Sequence, residues 1–216
     1  MNLLHLDSSI LGPSSVSRAL SSHVVEQLLN RFPHLRLTYR DLAAEPIPHL
    51  SGTYLAAAHG AVDAARDAVL AARDAVLLED LALGETVMKE FLAADIVVIG
   101  VAFYNFSIST QLKAWIDRIA IAGKTFRYSE SGQLEGLAGN KRVFLAIARG
   151  GFYSDGSPSH AMEHAETYLR SAFSFIGVTD LNVIAAEGLK VSGEQRQTAI
   201  AQAELRIAQT IAGLAA

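Results

Sequence analysis

The chain has 216 residues, half of them hydrophobic, with a net charge of −4 and no cysteine. That length and balance predict one globular domain over residues 1–216 and exclude a disordered chain. The lack of a basic cluster argues against nucleic acid as a partner, and zero cysteine excludes disulfides, thiolate catalysis and cysteine metal sites. No apolar run reaches the roughly 18 residues a membrane span needs. Met1–Asp7 carries neither a basic start nor a long apolar core, so no signal peptide is expected and the cytoplasm is the expected compartment.

The elements follow in chain order. Asn2 to Leu6 reads as a first strand, and Asp7 to Ser17 as a serine-rich loop. Val16, Leu20, Val24 and Leu28 lie four apart and predict a helix that Pro33 stops. Leu35 to Tyr39 alternates as a second strand. Pro46 to Glu79 is Ala-rich and reads as helical. Within it Ala65–Leu70 recurs as Ala72–Leu77, a local duplication that extends a surface helix against a partner subunit. Leu83-Gly84 is expected to break this helix before another that runs to Ala93. Ile96, Val97, Val98, Ile99 and Val101 form a β-branched run that suits a strand buried on both faces. Ser109 or Thr110 caps a helix carrying Leu112, Trp115, Ile116 and Ile119, with Gly123 at its expected left-handed end.

Thr125 to Asn140 reads as a hairpin excursion. Arg142 to Ala148 is the fourth strand, Ser159 opens a helix that ends near Gly177, Val178 to Ala185 is the fifth strand, and Ser192 to Ala212 is the closing helix. Strands and helices alternate five times, which predicts an α/β fold with a doubly wound parallel sheet in three layers.

Ligands of such sheets bind in loops beyond the carboxyl ends of the strands. The loop after the first strand has no glycine fingerprint. It offers the hydroxyls of Ser9, Ser15 and Ser17 at a helix start, which is either a phosphate site or an ordinary capped turn. Gly123-Lys124-Thr125 ends like a Walker A loop, but Arg118 stands where its first glycine belongs. Phe103-Tyr104-Asn105-Phe106 follows the third strand. Three aromatics and an amide suit a flat ligand with a polar edge, such as a flavin, and equally suit a plug for the end of the sheet. Arg149-Gly150-Gly151 follows the fourth strand, where paired glycines admit a close approach or make a tight turn.

Other patterns weigh less. His160-Ala161-Met162-Glu163-His164 matches a zinc-peptidase pattern without supporting ligands. No G-x-S-x-G elbow occurs. Asp41 is expected to cap a turn, Asp117 and Arg118 to be solvated, and Glu187 sits on the ligand edge with no assigned role. The convergence of three loops on one rim outweighs any single motif.

The chain resembles the FMN-dependent, NADH-using azoreductases and quinone reductases, which have a flavodoxin-like fold of strand order 2-1-3-4-5. The resemblance runs over nearly the whole chain. It rests on Ser8–Leu11 with Ser15-Val16-Ser17, on Arg40–Ala43 before Pro46-Ile47-Pro48, and most strongly on Tyr104–Lys113. Thr125–Tyr128, Arg149-Gly150-Gly151, Phe175-Ile176-Gly177 and Ala186-Glu187-Gly188 support it.

The resemblance implies that Ser9, Ser15 and Ser17 with the backbone of Val16 hold the FMN phosphate. It implies that Phe103, Tyr104, Asn105 and Phe106 line the isoalloxazine, with Ala148, Arg149, Gly150 and Gly151 as the third contact. Ala148 replaces the family's usual serine, and Val16 stands where many relatives carry a polar residue. Asn105, Phe126 and Phe152 are implied substrate contacts, alongside Phe106 at an apolar mouth. NADH is the implied donor, quinones and azo compounds the acceptors, the flavin's N5 the reacting atom rather than any side chain, and a homodimer the working form. The competing reading is an electron carrier serving protein partners; the chain's length and its lack of a strongly acidic surface favour the enzyme.

Overall fold

The computed structural model describes residues 1–58 and 75–214. The main sheet comprises β1 (Asn2–Asp7), β2 (Arg36–Asp41), β3 (Ile96–Ala102), β6 (Arg142–Ala148) and β7 (Asp180–Ala186), with β4 (Phe126–Tyr128) and β5 (Leu134–Gly136) forming a separate antiparallel pair. The order is β2-β1-β3-β6-β7 and every pairing in the main sheet is parallel. This is the flavodoxin-like arrangement the sequence implies, because the excursion β4–β5 lies outside the five-strand count.

Helices α1 (Val16–Arg31), α2 (Gly52–Ala58), α3 (Ala75–Ala93), α4 (Thr110–Ile119), α5 (Ala165–Phe175) and α6 (Gly193–Ala212) are described. Strand alternation sorts the core into two layers. Leu3, Ile96, Val98 and Phe144 pack under α1 and α6, against Leu20, Val24, Ala203 and Ile207. Leu4, Leu6, Val97 and Ile99 face the opposite layer, against Phe91 of α3, Trp115 of α4 and Phe173 of α5. All seven residues of β3 are buried, as a central parallel strand covered on both faces requires. Among the described residues no helix is long and apolar enough to cross a membrane.

Several boundaries differ from the sequence reading. The helix does not break at Gly84; α3 runs through it. A Cβ at Gly84 would stand 2.1 Å from the Tyr54 hydroxyl, so the glycine admits α2 rather than ending a helix. Gly123 has φ +78°, but α4 ends earlier, at Ala120, whose amide donates to Ile116. Gly123 instead closes the turn into β4, its amide donating to Phe126 at 2.8 Å. Ser159 opens only a short 3-10 turn, and α5 starts at Ala165. The carboxylate of Glu163 accepts from the amides of Ala165, Glu166 and Thr167 and so caps that start. Apart from Ala75–Leu77, the duplicated segment lies outside the described residues.

Arg118 is not solvated. Its side chain is wholly buried, lies 3.7 Å over the Tyr54 ring, and donates to Pro48 and Asp80 at 2.7 and 2.8 Å.

Candidate functional site

The carboxyl ends of β1, β3, β6 and β7 share one edge of the sheet, and the loops leaving them surround a cleft of about 530 Å³. Ser9, Ser15, Val16 and Ser17 line it from the β1 loop, Phe103 to Phe106 from the β3 loop, and Ala148, Gly150 and Gly151 from the β6 loop.

The β1 loop is built to present hydroxyls and amides. Ser15 caps α1, its Oγ accepting from the Arg18 amide, and it lies 3.0 Å from the Oγ of Ser17. The first-turn amides of Val16 and Ser17 have no partner within a helix, so they stay open to an anion. Arg18 does not point into the cleft. It donates to the Ser9 carbonyl at 2.7 Å and to Asp41 at 2.6 and 2.7 Å, bracing the loop from behind. The Arg18 hydrogen bond, outweighing burial and aided by the amides of Ala44 and Ala43, holds the Asp41 carboxyl below its usual range. Asp41 therefore caps a turn, as its position at the end of β2 suggests.

The β3 loop is a tight reversal. Tyr104 and Ser107 exchange backbone hydrogen bonds at 2.9 and 3.0 Å, leaving Asn105 and Phe106 at the two corners with φ of +46° and +75°. Two positive φ values in a two-residue loop suit a type I′ turn, where asparagine fits the first corner and glycine the second. A bulky ring at the second corner is strained. The hydrogen-bonded turn leaves Phe106 out at the cleft, 44% exposed. Tyr104 ties this loop to the first, its hydroxyl 3.0 Å from Ser9 Oγ.

Beyond β6 the alternation of a strand end decides which side chains meet the cleft. Ala148 faces it, so Arg149 turns to the other side, where it is 2% exposed. Its guanidinium donates to Glu187, Glu163 and Glu166 at 2.8, 3.0 and 3.0 Å. Glu187 also accepts from the amides of Tyr153 and Ser154 and from the Ser154 hydroxyl. Burial alone would raise the Glu187 carboxyl, but these hydrogen bonds together hold it below the usual range. Burial opposes ionisation of Glu163 in the same way, and the three amides of α5 with Arg149 overcome it. Glu187 thus pins the 151–154 segment, which gives it a definite role.

This cluster also disposes of the zinc-like pattern: Glu163 is spent on Arg149 and on capping, and His160 sits on the 3-10 turn against Asp155, apart from α5.

Two aromatic residues expected near the ligand lie elsewhere. Phe126 packs on Phe175 with ring centres 4.5 Å apart. Phe152 lies over Gly188 and lines a separate hollow with Glu166, Glu187 and Arg206, because its neighbour Tyr153 takes the cleft side. Tyr153, Lys190 and Arg196 do line the cleft and were not picked out by sequence reasoning. Tyr153 lies 4.6 Å from Phe103 and 6.4 Å from Phe106, ring centre to ring centre, completing an aromatic wall. The available signal was positional: each lies in a segment that follows β6 or β7 at this same rim.

A family model described as "Flavodoxin-like fold" matches residues 1–211. The FMN-dependent NADH:quinone oxidoreductase of Xanthomonas campestris pv. campestris is 58% identical, with 96% of this chain and 98% of that protein covered. FMN-dependent NADH:quinone oxidoreductase 2 of Bradyrhizobium diazoefficiens is 52% identical over 94% of this chain and 95% of its own length. Among solved structures, azoreductase AzrA superposes with a TM-score of 0.86 at 26% identity, covering 99% of this chain and all of that one. By fold, by cleft and by these likenesses, the chain belongs to the flavodoxin-like family that contains the FMN-dependent NADH:quinone oxidoreductases.

Proposed function

We propose that this chain is an FMN-dependent oxidoreductase that reduces quinones and azo compounds with NADH, its whole length serving as one FMN-binding domain. The observation that carries the reading is the meeting of three loops at one cleft: hydroxyls and a helix start at one end, aromatic rings along a wall, and two glycines on the floor.

The residues present fit FMN. Ser9, Ser15 and Ser17, with the open amides of Val16 and Ser17, have the donor chemistry a phosphate needs without a cationic side chain. The aromatic segment 103–106 offers a flat ring apolar contact, and the Asn105 side chain offers it a polar edge. Gly150 and Gly151 leave the backbone accessible, with Ala148 and the backbone of Arg149 beside them. When bound, FMN supplies the two-electron chemistry between NADH and the acceptor.

The protein supplies position. The Arg149 cluster fixes the floor loop, the strained turn holds Phe106 at the mouth, and the Tyr153 ring meets it edge to face. Asn105 and Phe106 are the acceptor contacts within one chain. Phe126 and Phe152 lie outside this cleft, so they meet an acceptor only if a second copy brings them to it. We read the working form as a homodimer, supported by an apolar hollow between α4 and α5 lined by Ile116, Ile119, Tyr168 and Phe175. We place its work in the cytoplasm, where a soluble reduced nicotinamide is at hand.

One cleft used in turn by donor and acceptor requires ping-pong kinetics. Initial rates with NADH varied at several fixed benzoquinone levels should give parallel double-reciprocal lines; intersecting lines would contradict alternate use of the site. Sustained turnover without any partner protein separates this enzyme from an electron carrier.

A further inference from the structure

We propose that Lys190 and Arg196 form the subsite that receives the pyrophosphate of the dinucleotide donor. The inference rests on the FMN-dependent reading above and adds to it where the donor's charge is read.

Both residues line the cleft. Lys190 is held there by backbone: the amides of Gly188, Leu189 and Lys190 donate to Gly151, Arg149 and Gly150 at 2.9, 3.2 and 2.9 Å. Its stem lies along Gly150, with Cδ and Cγ 3.2 and 3.4 Å from where a Cβ on that glycine would stand. Arg196 lies in the first turn of α6, its amide donating to Ser192 at 3.0 Å.

Neither cation meets a carboxylate among the described residues. Arg18, Arg40 and Arg149, in contrast, each hold at least one, Asp41, Glu90 and Glu187 among them. Glu194 on the same turn as Arg196 pairs with neither. A cation in the first turn also faces the positive end of the helix dipole, which is unfavourable until an anion arrives. In a chain of net charge −4, two unneutralised cations beside a helix start make a local electropositive spot of the wrong sign for the whole molecule. Such a spot suits a ligand group carrying two negative charges.

The flavin's own phosphate is served elsewhere. The serine hydroxyls and α1 amides stand at the end of β1, and Lys190 leans on Gly150 at the end of β6. β3 lies between those strands, so the two positions are about two strand spacings, ~10 Å, apart across the sheet. A pyrophosphate of the dinucleotide matches the second position in charge, and the cations leave the reacting nicotinamide free to enter over the glycine floor.

The test uses the FMN-loaded protein and two donors with the same reacting ring: NADH, and N-benzyl-1,4-dihydronicotinamide, which has no phosphate. Anaerobic stopped-flow gives the second-order constant for flavin reduction by each, and calorimetry gives the affinity of the loaded protein for NAD⁺. Lys190→Met and Arg196→Met should each lower the NADH-to-benzyl ratio about tenfold and weaken NAD⁺ binding by a similar factor. Raising salt should lower the ratio in the parent protein and do so less in the double variant. An unchanged ratio and NAD⁺ affinity would overturn the subsite. So would a loss seen in FMN affinity by fluorescence titration instead, which would give the cations to the flavin phosphate, or one seen only with sulfonated quinones. A parent chain that binds FMN but is reduced by neither donor would overturn the underlying functional reading, a result distinct from any of these.

Discussion

Phe106 and Arg149 show how single residues trade stability for the shape of the cleft. Phe106 has φ +75° and little packing to lose, so Phe106→Gly should relieve about 1 kcal/mol of strain and raise the melting temperature, while weakening acceptor binding. A thermal melt and the KM for quinone read the two effects; a fall in both stability and affinity would mean the ring is held by packing, not by strain. Arg149 answers to three carboxylates, so Arg149→Met should cost about 3–5 kcal/mol by leaving them buried together. The same cluster predicts a pH dependence. Glu163 and Glu187 have folded values below their unfolded ones, so their contribution is complete above the ordinary carboxylate range and lost as pH falls through the lowered folded values. Urea midpoints taken downward from neutral pH should therefore drop in the acid range, and drop less in Glu187→Gln. At Ala148 the missing hydroxyl is testable in the opposite direction: Ala148→Ser should tighten FMN about fivefold, the worth of one added hydrogen bond.

At the scale of elements, the sequence carried the layout and lost the side-chain directions. The β-branched run of β3, the four-residue spacing of α1 and the cap at Ser109 are local signals, and each is found where expected. The rim loops were legible because they follow strands directly. Whether Arg149 or Ala148 faces the cleft depends on where alternation stops at a strand end, and that is set by pairing with β3 and β7, not by local sequence. Arg118 looked solvated because its partners, Asp80 and Pro48, are 38 and 70 residues away. Gly84 makes the sharpest case. Taken as helix propensity alone, Gly84→Ala stabilises by about 1 kcal/mol. The packing of Tyr54, itself buried and stacked on Arg118, predicts instead a loss of about 1–3 kcal/mol, since a Cβ would meet its hydroxyl at 2.1 Å. A melting temperature that rises on this substitution would show that α2 sits less firmly on α3 than described.

For the whole molecule, the central claim is that four strand ends of one parallel sheet present a single site, and that an enzyme of this family works there. Binding at that site stabilises the fold by mass action. FMN at a hundred times its dissociation constant should add about 2.7 kcal/mol, which raises the melting temperature by roughly 5–10 °C for a chain this long. The most direct measurement is an anaerobic titration of the purified, FMN-loaded protein followed by its visible absorption. One equivalent of NADH per flavin should bleach the visible band, and one equivalent of benzoquinone should restore it in full. A chain that retains no FMN, or a band that NADH leaves untouched, would contradict the account.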